Sequence, residues 1–381
     1  MIQMYLDCSK INNMIFCKGF IILGSLGAIL TLPTLCQAAI QEDCAVCHTM
    51  HNSEEGSAVA FTLDIQGHQV INEQPFANLL KTDCLGCHSH TGAETIINLG
   101  EAPVPIVFNL NEPTYPPDGS ANSTLAGGNF HWLIPKGDAY GHNVNGIAAE
   151  DSRFPSTQAL GGEERTGECI NCHGTLASAQ SGCEGCHVPY HHANNSAAIV
   201  ADSQYGWYRF LGSVMQRDDQ IGPPPEGVLG IEDSDWEQDP LVDRHNTYQG
   251  KSGPYFSYLE SGSINQKCAG CHGRFHNETT ADSTWIRHPA EVAIPDFREY
   301  TGYTDYNPLV PVARPNISTA DAGFSTINRG TDLVSCISCH RAHGSPYPAM
   351  LRWGYRDWPG IDSHTQQPAD NGCAVCHTSK D

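Results

Sequence analysis

The sequence predicts a single domain of mostly irregular chain with a few short helices and hairpins, wrapped around a core that the polypeptide does not itself supply. Three observations carry this expectation. A Cys-x-x-Cys-His run occurs seven times. Gly and Pro together account for 61 residues, and amphipathic periodicity is rare. The runs start at 44, 84, 169, 183, 268, 336 and 373, a spacing too irregular for a solenoid repeat.

Cys-x-x-Cys-His is the attachment signature of a c-type haem. The two thiols form thioether bonds to the porphyrin vinyl groups, and the adjacent histidine becomes an axial ligand of the iron. The thiol pairs are Cys44 and Cys47, Cys84 and Cys87, Cys169 and Cys172, Cys183 and Cys186, Cys268 and Cys271, Cys336 and Cys339, and Cys373 and Cys376. The proximal ligands are then His48, His88, His173, His187, His272, His340 and His377. At this chain's Cys and His frequencies roughly 0.04 such runs arise by chance, so seven are not accidental. Zinc ribbons do not require a histidine after every second cysteine, and redox dithiols do not come in sevens. The expected fold is therefore a multihaem c-type cytochrome wrapped around a continuous stack of seven covalently bound haems.

The N-terminal region reads as an export signal. Residues 20–32 are apolar, follow Lys10 and Lys18, and precede the small residues Ala38 and Ala39. Residues 1–38 are expected to be removed, with Met14 a tidier start than Met1, and residues 39–381 to form the single seven-haem domain. The apolar run is shorter than the ~20 residues of a membrane span. Cysteine usage agrees. Of 17 cysteines, 14 lie in the seven runs, and Cys8, Cys17 and Cys36 all fall within the expected signal. An oxidising compartment with every thiol consumed by haem is chemically consistent.

The 343 residues after Ala38 leave about 49 for each haem, too few to wrap them one by one. A compact chain of this length has a radius of gyration of roughly 20 Å. Seven porphyrins in that volume lie close together and supply most of the apolar core. The formal net charge of −22 excludes nucleic acid as a partner. It favours cations, positively charged redox proteins and metal-bearing particles.

Along the chain, short helices are expected at residues 75–83 and 348–357, and short strands at 127–134 and 227–231. Residues 205–210 form an aromatic cluster, read as packing. The acidic residues 232–239 lack a calcium-loop pattern and read as a solvated loop.

Seven irons need seven distal ligands. Beyond the signal only Met50, Met215 and Met350 remain, whereas twelve histidines lie outside the runs. Bis-histidine ligation throughout is the economical expectation, and it favours lower potentials than Met/His ligation. By position the candidates are His51, His142, His191 or His192, His245, His276, His288 and His343. His343 follows His340 by three residues, too close to reach the far face of the same haem, so it is expected to serve a neighbour. His90 is ambiguous, and His68, His131 and His364 are expected to be bystanders.

Several stretches carry a resemblance. They are Cys44-Ala-Val-Cys-His-Thr-Met-His-Asn-Ser, Cys84-Leu-Gly-Cys-His-Ser-His-Thr-Gly, Gly127-Gly-Asn-Phe, Gly141-His-Asn-Val, Cys268-Ala-Gly-Cys-His-Gly-Arg-Phe-His-Asn, Arg287-His-Pro and Cys336-Ile-Ser-Cys-His-Arg-Ala-His-Gly-Ser. In the same order over most of the mature chain, these resemble the outer-surface multihaem cytochromes of metal-reducing bacteria, in particular the filament-forming hexahaem kind. This chain departs from that pattern by an extra run, Cys183 to His187, followed by His191 and His192. The resemblance implies extracellular electron transfer by an electron carrier rather than an enzyme. It also implies a head-to-tail filament in which His51 ligates a haem of the next subunit, with other cytochromes and an extracellular acceptor such as a metal oxide as partners. The alternative for His51 is ligation of the second haem in its own chain. Two other functions share the chemistry: a periplasmic electron shuttle, and a multihaem reductase of a nitrogen or sulfur oxyanion. A reductase needs an iron with an open position, which a surplus of histidines disfavours.

Overall fold

A computed structural model describes residues 8–11, 14–17, 53–54, 57–58, 61–63, 66, 68–71, 84–99, 102–144, 146–148, 173, 211, 228–251, 263–268, 272, 288–318, 322–355 and 372–379. The chain divides into two compact units, Met1–Cys36 and Gln37–Asp381. In the first, β1 (Cys8–Ile11) pairs antiparallel with β2 (Met14–Cys17), Cys8 opposite Cys17. The apolar residues 20–32 lie outside the described residues. Among the described residues no helix is long and apolar enough to cross a membrane.

The second unit is built from very short elements. Two small antiparallel pairs come first, β3 (Ser53–Glu54) with β4 (Ser57–Ala58) and β5 (Phe61–Leu63) with β6 (Gln69–Ile71). The one-turn helix α1 (Cys84–His88) runs directly into β7 (Ser89–His90). β8 (Ile96–Leu99) and β9 (Ala102–Pro105) form a hairpin, and β10 (Phe108–Asn109) then lies parallel to β7. Further on, β11 (Gly230–Ile231), β12 (Thr247–Gln249) and β13 (Ala313–Arg314) make a three-stranded sheet in that order, antiparallel then parallel. One-turn helices at Cys336–Cys339 and Gly372–Cys376 carry the last two motifs.

The expected strand at 227–231 is present as β11. The expected strand at 127–134 is not. There the chain makes a 3-10 turn, Phe130–Trp132, followed by helix α2 (Leu133–Lys136). Asn129 decides this: its side-chain oxygen accepts the His131 N–H at 2.9 Å, which caps a turn rather than extending a strand. Phe130, Trp132 and Leu133 are then buried together instead of alternating between two faces. The helix expected at 348–357 shrinks to the single turn Pro348–Met350, because Ala349 and Met350 adopt φ of 58° and 55°. Residues 75–83 and 205–210 lie outside the described residues.

Among the described residues, many of the buried apolar side chains gather in three patches, and each lies against a haem-attachment motif. Leu85 of the second motif packs with Phe108, Phe130, Leu133, Val144 and Ile147. Ile337 of the sixth packs on Val228, Tyr248, Ile264, Ala313 and Leu333. The third patch, centred on Ile294, Tyr303, Tyr306, Val312 and Trp353, is flanked by Cys339, Cys373 and Cys376. Protein apolar packing is thus larger than the composition suggested, but it is divided into beds rather than gathered into one core.

Charged residues weld the loops between these beds. Arg341 is 3% exposed and donates to the carbonyls of Leu125 and Ala126 at 3.0 and 2.8 Å. Tyr115 donates its hydroxyl to the Arg352 carbonyl at 2.6 Å. The acidic residues 232–239, expected to be solvated, instead send Glu237 inward, where it accepts the Asn246 N–H at 2.7 Å. Burial raises the Glu237 carboxyl above its ordinary range, against the pull of Arg352, His245 and Arg341. Removing one member of such a cluster strands the others away from water. Arg341→Met should therefore lower stability by about 3–5 kcal/mol. The check is the midpoint of chemical unfolding of the haem-loaded protein, and an unchanged midpoint refutes this account of the loops.

Candidate haem sites and their histidine pairs

The second, sixth and seventh motifs each form one turn of helix. Residues i, i+3 and i+4 share a face of such a turn, so both thiols and the histidine of a Cys-x-x-Cys-His run point the same way. The His340 N–H bonds to the Cys336 carbonyl and the His377 N–H to the Cys373 carbonyl, each at 2.9 Å. The chain then leaves the helix: His340 is already extended, at φ −115° and ψ 154°. Cys84, Cys87, Cys268, Cys336, Cys339, Cys373 and Cys376 are all free of disulfides. Burial pushes the Cys339 and Cys376 thiols up to about 12, so they are neutral.

Neighbouring motifs touch. The Cys336 thiol is hydrogen-bonded to Cys268, the first cysteine of the fifth motif. Asn265 joins the same two motifs, its side-chain oxygen accepting the Cys336 N–H at 2.6 Å and the Ser335 hydroxyl at 3.0 Å. Cys339 and Cys376 in turn lie against one apolar patch.

Among the described residues, three imidazole pairs join a motif histidine to a distant one. The ring centroids are 6.1 Å apart for His142 and His272, 6.3 Å for His173 and His343, and 6.3 Å for His288 and His377. One metal ion bonded at about 2 Å to a nitrogen of each ring requires a centroid separation of roughly 6 Å. In every pair, one ring belongs to an attachment motif and the other comes from elsewhere in the chain. The residues present therefore fit a haem iron.

The ring nitrogens are sorted as a metal ligand requires. Nδ1 of His88 faces the Pro105 carbonyl at 2.6 Å, that of His142 the Ala342 carbonyl at 2.6 Å, and that of His288 the Pro289 carbonyl at 3.1 Å. Nδ1 of His340 faces the Ala349 carbonyl at 2.7 Å, and that of His377 faces a Glu299 carboxylate oxygen at 2.6 Å. A carbonyl can only accept, so each Nδ1 carries the proton and each Nε2 keeps its lone pair for the metal. Desolvation holds His142, His272, His288 and His340 below the ordinary histidine range, and His343 at about 3, which keeps these rings neutral.

A glycine crossing sets two of the distal rings. Gly128, at φ +85°, bridges to Gly344, and Gly141 bridges to the same residue. The His343 N–H bonds to the Gly127 carbonyl at 2.7 Å. A Cβ on Gly127 would lie 2.9 Å from the His343 ring, and one on Gly128 would lie 2.1 Å from the Gly344 carbonyl. The glycine stretches at 127 and 141 are thus where three backbones approach closely enough to aim His142 and His343.

Several expectations change. His245 is no ligand. It is buried, with its ring nitrogens at 2.8 Å from the Asn246 and Phe324 carbonyls and its ring stacked 3.5 Å from Tyr306. Both nitrogens are engaged and no face is open to a porphyrin. The His90 Nδ1, left ambiguous by the sequence, lies 3.1 Å from the Gly92 N–H and 3.3 Å from a Glu94 carboxylate oxygen, so it has local partners rather than a facing motif ring. His131, expected to be a bystander, has its Nδ1 against the Asn109 carbonyl at 2.9 Å, the same lock as the ligand set. Cys44, Cys47, His48, His51, Cys169, Cys172, Cys183, Cys186, His187, His191, His192, Cys271 and His276 lie outside the described residues. Asn265 and Glu299 went unnoticed in the sequence, since neither has a spacing that marks it.

Comparison with known proteins accords with this geometry. Residues 329–381 match the family model described as the doubled CXXCH motif. Over 372 residues, 82% of this chain and 78% of the relative, the sequence is 23% identical to C-type cytochrome OmcS of Geobacter sulfurreducens. The chain is similar to a multihaem c-type cytochrome. The solved Outer Membrane Cytochrome S filament from Geobacter sulfurreducens matches with a TM-score of 0.50, at 18% identity, over 84% of this chain and 85% of that one. That likeness is one of fold: mostly coil, with few short helices and small sheets. The motifs and the OmcS similarity together support covalently bound haem c.

Because Gly128 is at positive φ and pressed against the Gly344 backbone, Gly128→Ala should cost about 1–3 kcal/mol. The loss is expected as a lower unfolding midpoint of the haem-loaded protein. No loss would mean that the crossing is looser than described.

Proposed function

We propose that this chain is a secreted seven-haem c-type cytochrome whose irons are each held between two histidines, and that it carries electrons along a row of haems rather than catalysing a reaction. The observation that carries this reading is the set of three ring pairs at 6.1–6.3 Å, each joining a motif histidine to a distant one. His142 serves the fifth motif, His343 the third and His288 the seventh. His343 belongs to the octapeptide that also holds the sixth motif's thiols and His340, so one stretch of chain ties two haems together.

Haem c, when bound, supplies reversible one-electron exchange at iron. The protein's part is positional. The carbonyl locks on His88, His142, His288 and His340 keep those imidazoles oriented, with Nε2 left for the metal. Two histidine ligands leave no open coordination position, which disfavours reductase chemistry, and favour low potentials. The contact between Cys268 and Cys336 brings the attachment edges of the fifth and sixth sites together, and the patch shared by Cys339 and Cys376 does the same for the sixth and seventh.

Export by residues 1–38, a single domain over 39–381 and an extracellular or outer-surface location belong to the same proposal. Its partners are further copies of itself, other cytochromes and an extracellular acceptor such as a metal oxide. The similarity to the OmcS filament supports self-association, with His51 ligating a haem of the next subunit. A head-to-tail contact that does not close on itself yields a filament.

Two experiments test this. The intact mass of the secreted protein should equal the mature chain plus seven haems, and all irons should be low-spin. Fewer haems refute the count, and a high-spin fraction that binds nitrite or hydroxylamine favours the reductase. His51→Ala should convert filaments seen by electron microscopy into short or monomeric particles. If the unmodified protein is monomeric at all concentrations and His51→Ala perturbs one haem within that monomer, the soluble shuttle is the correct reading.

A further inference from the structure

We propose that Glu299 is a positioning residue that sets the iron at the seventh motif apart from those at the second and sixth, by holding the Nδ1 proton of His377 against a carboxylate. The inference rests on the proposed ligation of that iron by His288 and His377. The His377 Nδ1 to Glu299 Oε1 distance is 2.6 Å, across 78 residues of sequence. His88, His142, His288 and His340 all turn their Nδ1 to a neutral carbonyl instead. His377 is thus the one motif ligand among them with an anionic partner.

Glu299 is placed by its backbone. Its carbonyl accepts the Thr378 N–H at 2.8 Å and the Thr378 hydroxyl at 2.5 Å. The Gly302 N–H donates to the same hydroxyl at 3.2 Å. The turn Arg298–Tyr300 is thereby clipped to the residue after His377, with Arg298 at φ 55°. Tyr300 adds a hydrogen bond to the Glu299 carboxylate, and its ring lies 5.0 Å from that of His377. Because these clips use main chain and Thr378, a change in the Glu299 side chain leaves the turn intact.

The consequence is electrostatic. An imidazole whose N–H is drawn toward a carboxylate gives more electron density to the metal, and the added negative charge favours the higher iron charge. Fe(III) is stabilised relative to Fe(II), so this site takes up an electron less readily than it would with a carbonyl partner. No proton leaves: it stays on Nδ1, shared with Oε1, while the iron gains or loses one electron. The same site differs in ring orientation from the other two described pairs. The His288 and His377 rings are inclined at 83°, against 44° and 35° for the other two pairs. Near-perpendicular axial rings leave the iron dπ orbitals nearly degenerate and raise the largest EPR g value above that of canted pairs.

The test compares Glu299→Gln with Asp296→Asn in the full haem-loaded protein, following each haem by redox titration with EPR. Asp296 is a nearby carboxylate paired with Arg329 at 2.9 Å rather than with His377. In Glu299→Gln, one haem with a large g value should shift about tenfold toward Fe(II) at fixed potential, equivalent to 59 mV for one electron. Asp296→Asn should change it less than about twofold. No shift in Glu299→Gln, or an equal shift in both variants, overturns the proposal. Haem missing from the Cys373–Cys376 peptide by mass spectrometry would overturn the ligation reading, and this inference with it.

Discussion

On the proposed bis-histidine reading each iron needs two neutral imidazoles about 6 Å apart, and the described part of this chain is arranged around that requirement. A motif helix delivers only the first ring, because residues i, i+3 and i+4 share one face of one turn. The second ring has to be brought from elsewhere: His142 lies 130 residues before its partner His272, and His343 lies 170 residues after His173. Regular secondary structure serves this poorly. A long helix or strand presents side chains at a fixed period along one line, whereas these sites need pairs converging from several directions. Short turns, glycine crossings and carbonyl-locked rings meet the need at the cost of a continuous core.

That cost is offset locally. Three apolar patches each back a motif, so burial of Leu85, Ile337 or Cys376 is coupled to burial of the attachment site itself. Between the patches, an irregular chain leaves backbone carbonyls that no helix or sheet satisfies. Arg341 fills this role for the Leu125 and Ala126 carbonyls, while Asn265 satisfies the backbone N–H at the start of the sixth motif. His245 is consumed in the same way, which is why a residue with the composition of a ligand is instead a structural tie.

The arrangement suits conduction. Contact between the fifth and sixth motifs through Cys268 and Cys336, and a shared bed for the sixth and seventh, make the C-terminal part of the chain a run of adjoining sites. His343 extends the link to the third motif. The partners of Nδ1 then become the means of differentiating sites that are otherwise alike. Most are main-chain carbonyls, which orient the ring without adding charge, while Glu299 adds one.

The attachment motifs and the histidine surplus were legible in the sequence, because thioether attachment demands a contiguous pentapeptide and composition cannot hide a shortage of methionine; the extent of apolar packing was not. The expectation that His343 serves a neighbouring haem was also legible, from chain reach alone, and it belongs to the proposed ligation. Which histidine meets which iron was not. His142, His245 and His288 look equivalent in sequence, and only the folded chain shows that two of them face a motif ring while the third is locked between carbonyls and stacked on Tyr306. Glu299 and Asn265 were invisible for the same reason: each acts across a separation of 71 or 78 residues that leaves no local pattern. Covalent chemistry is written in adjacent residues, whereas the pairing of rings and the charge beside them depend on where distant turns come to rest.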